Sequence, residues 1–196
     1  MMDFLTVFAA AFAVENLFFA RAFDAHGYGE LKKDPKKILL FGGLTTAVLL
    51  LAGPIAYGVN RLIYGTAAYN YINGLAHLLI LAALYAAAYL LLQKYQPKVF
   101  ELVGKYLPFA AFNCATLGSM LLVAKDVEMD SLGKALAYYC GAGVGFTGAM
   151  LLLWSLRQRL SSCNAPKSFR GLPLELITAG LIALALVGLS GTQLPA

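Results

Sequence analysis

Two adjacent pairs stand out chemically in this chain of 196 residues: Glu15-Asn16 and Asn113-Cys114, each set inside a long apolar run. A carboxyl or carboxamide at membrane depth is costly unless it faces a partner or a cavity. Glu15, two turns before Arg21, has two readings: a protonated or hydrogen-bonded carboxyl that packs two helices, or a group with an ion or cofactor role. Asn16 and Asn113 are suited to bonding backbone groups freed where a helix is interrupted, a structural use that requires no chemistry. Of the three cysteines, Cys114 alone lies beside a polar residue in such a run. Buried free cysteine otherwise behaves as a small hydrophobe. Cys140, in Tyr138-Tyr139-Cys140-Gly141, reads as packing, and Cys163 reads as a loop thiol. His26, in Asp24-Ala25-His26-Gly27-Tyr28, falls just past the first apolar run, where a histidine is ordinarily solvated; His77 reads as a hydrogen-bonded interior residue.

The same inventory excludes several classes. Three cysteines without zinc spacing give neither a disulfide framework nor a self-contained metal site. No Walker loop, GxGxxG, GxSxG or HExxH is present, so the chain has no nucleotide or flavin site of its own. Neither paired carboxylates nor a nucleophile–base set supports an enzyme acting on lipid. Any catalysis would need cofactors held jointly with partners, which makes the chain at most a non-catalytic subunit of an oxidoreductase complex.

These residues must be positioned by membrane helices. The composition is 60% hydrophobic and 13% charged, with a mean hydropathy of +0.72, whereas a soluble domain carries about 25% charged residues. A helix crosses the hydrocarbon with about 20 apolar residues, and six stretches qualify: about Phe4–Phe23, Ile38–Leu62, Ile72–Leu92, Val99–Ala124, Ala135–Leu156 and Leu174–Leu189. The first lacks a basic start and a small-residue exit, so it reads as a retained helix rather than a signal peptide. Pro54 predicts a kink in the second. Pro108, Asn113 and Gly118 predict an interruption of the fourth. Small residues in the fifth, from Gly141 to Gly148, allow close helix approach. The whole chain, 1–196, reads as one membrane domain.

Basic residues orient the spans. The first, third and fifth connections carry Arg21, Lys32, Lys33, Lys36 and Lys37, then Lys94, Lys98 and Lys105, then Arg157, Arg159, Lys167 and Arg170. The other two carry Arg61, Lys125 and Lys134, so the division is twelve against three. This places both termini outside and the basic connections in the cytoplasm. Three helices per half require halves of opposite orientation, about 1–96 and 97–196, related as inverted repeats. Ala13-Val14-Glu15-Asn16-Leu17 resembles Ala110-Ala111-Phe112-Asn113-Cys114, so each half opens with a helix bearing an asparagine within the span.

The segment from Leu107-Pro108 through Asn113-Cys114-Ala115 to Leu117-Gly118 resembles the LP…NCA.LG segment of the Rnf/Nqr membrane-subunit family. Val144-Gly145-Phe146, Arg157-Gln158-Arg159-Leu160, Phe169-Arg170-Gly171, Leu176-Ile177-Thr178-Ala179-Gly180-Leu181 and the ending Gly188-Leu189-Ser190-Gly191-Thr192-Gln193-Leu194 continue the resemblance in order. Glu15-Asn16 is similar to the Glu-Asn pair of the same family, and the outside termini fit its RnfA/NqrE type. The resemblance implies broken helices 1 and 4, and a partner of opposite topology, the RnfE/NqrD type. It also implies a 2Fe–2S cluster shared between the two proteins, relaying electrons in an ion-translocating complex of the cell membrane. On this resemblance Cys114 is an iron ligand, with Asn16 and Asn113 beside the cofactor and Glu15 on a candidate ion pathway. Two positions depart from the pattern. His26 stands where the family has its first cysteine, so ligation becomes mixed Cys114/His26 or the cluster is lost. Tyr89 stands where members carry an acidic residue late in helix three. A cluster-free relative serving as a transporter or scaffold is the alternative, with Glu15, Asn16 and Asn113 lining the path.

Overall fold

A chain crossing hydrocarbon must pair its own backbone groups, and the helix does so within a single segment. The computed structural model describes residues 2–14, 34–63, 69–125, 131–161, 166 and 169–190, and every extended element among them is helical. In order these are α1 (Met2–Ala9), a π-helical segment (Ala10–Val14), α2 (Pro35–Ile63), α3 (Tyr69–Tyr95), α4 (Pro97–Val103), α5 (Leu107–Ala111), α6 (Cys114–Lys125), α7 (Leu132–Ser161) and α8 (Leu172–Ser190). Four segments among the described residues are long and apolar enough to cross a membrane: Pro35–Ile63, Ile72–Tyr95, Leu107–Lys125 and Leu132–Ser161. α8 is apolar from Pro173 to Leu186. The first span expected from sequence is described only through Val14. This is a multi-pass membrane protein.

Several helices run a turn or so past the expected spans, α3 and α7 at both ends, and two boundaries have a clear local cause. The fourth span begins at Leu107 rather than Val99, because Gly104-Lys105-Tyr106 forms a turn that splits α4 from α5. The apolar residues Val99, Phe100, Leu102 and Val103 hid that turn within one hydropathy run. α2 starts at Pro35, whose fixed φ suits a first helical turn, and it continues unbroken past Pro54.

The core lies where α2 packs against α7. In α7, 61% of the apolar span is buried, against 11% in α3, so α7 is central and α3 peripheral. Phe41 of α2 meets Phe146 of α7 at 6.3 Å between ring centroids. Ile38, Leu49, Ala52, Tyr139, Ala142 and Met150 fill the space around them. Small residues set the spacing of this seam. A Cβ placed on Gly143 would stand 2.5 Å from Thr46 Oγ1, and one on Gly141 would stand 2.5 Å from the Phe8 carbonyl oxygen. Gly141 and Gly145 lie one turn apart and receive α1 and the π-helical segment, while Gly143 receives α2. The expected close approach in the fifth span is therefore met on two sides of one helix. The hydroxyls of buried Thr45 and half-buried Thr46 and Thr147 are paired locally: Thr45 donates to Phe41 O at 2.9 Å, Thr46 to Gly42 O at 2.7 Å and Thr147 to Gly143 O at 2.8 Å.

Candidate functional site: a helix break at Asn113-Cys114

The expected interruption of the fourth span falls at Phe112-Asn113, between α5 and α6. Phe112 leaves the helical region at φ −103° and ψ 35°, while its N–H still donates to Pro108 O at 2.9 Å. Three side chains bond backbone groups at and just after the break, where Asn113 O also accepts the Leu117 N–H at 3.3 Å. Asn113 Oδ1 accepts the Thr116 N–H at 2.6 Å, which makes Asn113 the N-cap of α6. The Thr116 hydroxyl lies 2.9 Å from both Ala111 O and Asn113 O, so its one proton serves two carbonyls. Ser119 Oγ donates to Thr116 O at 2.9 Å. Asn113 thus performs the helix-bridging role read from its type. Its Nδ2 is buried, with no hydrogen-bond partner among the described residues.

Cys114 is the first residue of α6, and its side chain is exposed. Phe109 and Phe112, which precede it in the chain, are also exposed, at 59% and 46%. The break therefore opens outward rather than into the α2–α7 core. Aromatic rings on α3 brace it from one side: Phe112 packs edge-on against Tyr85 at 5.5 Å, Tyr85 meets Tyr89 at 5.9 Å, and Tyr89 meets Phe100 of α4 at 5.0 Å. Tyr89 thus packs between Tyr85 and Phe100.

Glu15, Asn16, His26 and Cys163 lie outside the described residues. Cys140 is half-buried on α7. His77 is buried, with Nδ1 2.7 Å from Asn73 O. A carbonyl can only accept, so Nδ1 carries the proton, and His77 is the hydrogen-bonded interior residue its position predicted. Among the described residues no three His, Cys, Asp or Glu side chains gather as a metal site. The residues missed in the sequence are Thr116 and Ser119, whose signal was their spacing of three and six from Asn113. A second missed cluster closes the far end of α6. Tyr69 Oη donates within 2.6 Å of Asn60 Oδ1 and lies 2.9 Å from Ala124 O, which also accepts from Asn60 Nδ2 at 3.3 Å.

A family profile described as "Rnf-Nqr subunit, membrane protein" matches residues 4–193. The chain belongs to the Rnf-Nqr family. Among relatives of this Rnf-Nqr chain, the A component of the ion-translocating oxidoreductase complex of Syntrophotalea carbinolica is 32% identical over 97% of this chain and 98% of its own. The A component of the Na(+)-translocating ferredoxin:NAD(+) oxidoreductase complex of Acetobacterium woodii is 31% identical over 98% of this chain and 100% of its own. The ion-translocating oxidoreductase component of the same type from Edwardsiella ictaluri is 31% identical over 97% of this chain and 98% of its own. In this Rnf-Nqr protein the matched region contains the Asn113-Cys114 break and the α7–α8 hairpin alike.

Proposed function

We propose that this chain is the RnfA/NqrE-type membrane component of an ion-translocating electron-transport complex, and that it relays electrons through an intramembrane 2Fe–2S cluster shared with a homologous protein of the RnfE/NqrD type. One observation carries the reading: Cys114 presents an exposed thiol at a helix break inside the span Leu107–Lys125. The donor set fits a contribution to a shared centre. A thiolate is the ordinary protein ligand of iron–sulfur clusters, and Cys114 is exposed, as are Phe109 and Phe112 before it in the chain, so a second protein can reach the thiol. One thiol cannot hold a cluster alone, so the remaining ligands are His26 and the partner's residues.

When bound, such a cluster accepts and passes on one electron at a time. This chain's own residues orient and insulate. Asn113 and Thr116 fix the start of α6 and so fix the Cα position of Cys114. The positive end of the α6 dipole stabilises negative charge at that point. The unpartnered Asn113 Nδ2 is a donor for a sulfur beside Cys114, and hydrogen bonds to sulfur tune such centres. On the same reading Asn16 would serve the cofactor from the first half, and Glu15 would serve ion passage. Six spans in two inverted repeats, 1–96 and 97–196, with both termini outside the cytoplasm, would bring the two asparagine-bearing helices to one interface of the cell membrane.

His26 favours one other reading, since its imidazole stands at the family's cysteine position: a cluster-free transporter or scaffold. Anaerobic co-purification with the homologous membrane partner, followed by iron and sulfide quantification, separates the two. Equal iron and sulfide, lost in Cys114→Ala, is the expected result. Iron-free protein, from a preparation in which a control homologue keeps its cluster, refutes the relay.

A further inference from the structure

Where α7 and α8 meet, the apolar spans give way to a polar turn. A cleft of about 170 Å³ lies there, between the end of α7 and the start of α8. That is far above the roughly 15 Å³ that admits a single water. Its polar lining is Arg157, Ser161, Arg170 and Glu175, and its apolar lining includes Leu160 and Leu174. Arg157 Nε donates to Glu175 Oε1 at 2.7 Å, an ion pair that joins the two helices and holds the guanidinium across the cleft. That bond uses one of the five donors of the arginine fork. The Ser161 hydroxyl is already given to Gln158 O at 2.7 Å. Two guanidiniums against one carboxylate leave the lining with net positive charge. Gly171, at φ +88°, turns the chain into α8 and leaves open space where a Cβ would stand.

We propose that this cleft binds the phosphate of an anionic phospholipid. Arginine pairs with phosphate through two parallel N–H bonds, and basic pockets at the membrane–water boundary of helical bundles suit anionic headgroups. The apolar half of the lining selects lipid over free phosphate. Leu160 and Leu174 stand beside the arginines, and from there the exposed face of α8 runs on through Ile177, Leu181 and Leu184. Acyl chains can lie along that face while the headgroup occupies the cleft. Free phosphate gains nothing from it.

The only tryptophan, Trp154, lies one turn before Arg157 on α7 and serves as the fluorescent probe nearest to it in the chain. The full chain is reconstituted in phosphatidylcholine nanodiscs, and Trp154 fluorescence is titrated with either phosphatidylglycerol or phosphatidylcholine carrying brominated acyl chains. The expected result is a preference of about fivefold or more for brominated phosphatidylglycerol per arginine engaged. It should vanish in the Arg157→Gln/Arg170→Gln double variant, persist in Arg159→Gln, and persist when inorganic phosphate is added. Glu175→Gln removes the competing negative charge yet keeps an amide oxygen that can accept the Arg157 N–H between the two helices, and it should enlarge the preference, so the proposal stands or falls even if the double variant does not fold. Equal quenching by the two lipids, a preference unchanged by both the double variant and Glu175→Gln, or its abolition by inorganic phosphate would overturn the lipid site.

Discussion

At the scale of single residues, the break before Cys114 is held by few atoms. Asn113 caps α6 through one short bond to the Thr116 N–H, and losing an N-cap costs about 1 kcal/mol. Asn113→Ala should therefore lower the melting temperature of the purified protein, while Asn113→Asp, which keeps the acceptor, should largely retain the capped helix. Thr116→Val keeps the shape but strips the hydroxyl from Ala111 O, and from Asn113 O, which keeps the Leu117 N–H at 3.3 Å. Leaving a buried acceptor unpaired costs about 1–3 kcal/mol, so this variant should melt below the parent as well. Thermal melts of both variants test the assignment. Parent-like melts would mean that the break is held by something other than these bonds.

Among elements, α7 governs the bundle because its glycines let two neighbours approach its backbone. Gly141→Ala places a methyl 2.5 Å from the Phe8 carbonyl, with no flexible side chain able to yield. Overpacking of that kind costs about 1–3 kcal/mol. Gly43→Ala and Gly58→Ala meet nothing within 4 Å and should be neutral or gain up to about 1 kcal/mol from helix propensity. Opposite shifts of melting temperature in the two sets are the expected outcome. Much of this was legible in the sequence. The run Gly141-Ala142-Gly143-Val144-Gly145 predicted close packing, and Pro108 with Asn113 predicted the broken span. Other features were not legible. Hydropathy cannot see the Gly104-Lys105-Tyr106 turn, because the residues on both of its sides are apolar. It also cannot see which glycine faces which helix, or that Thr116 serves two carbonyls, since those facts depend on tertiary register. The π-helical segment Ala10–Val14 had no sequence signal at all.

For the whole molecule, the division of basic residues predicts that both termini lie outside. Alkaline phosphatase fused to the C-terminus should be active and a fluorescent protein fused there should be dark; the reverse pattern would overturn the outside placement of the termini and with it the RnfA/NqrE-type orientation. Cys114 presents an exposed thiol at the start of α6, and the proposed function requires that this thiol ligate a cofactor shared with a second protein. The most direct measurement is EPR spectroscopy of the dithionite-reduced, anaerobically purified pair of membrane proteins. A rhombic 2Fe–2S signal is predicted, absent in Cys114→Ala and altered in His26→Cys, with a lower midpoint potential because thiolate replaces imidazole. A signal that survives Cys114→Ala unchanged, or a pair that holds no iron at all, would contradict the account.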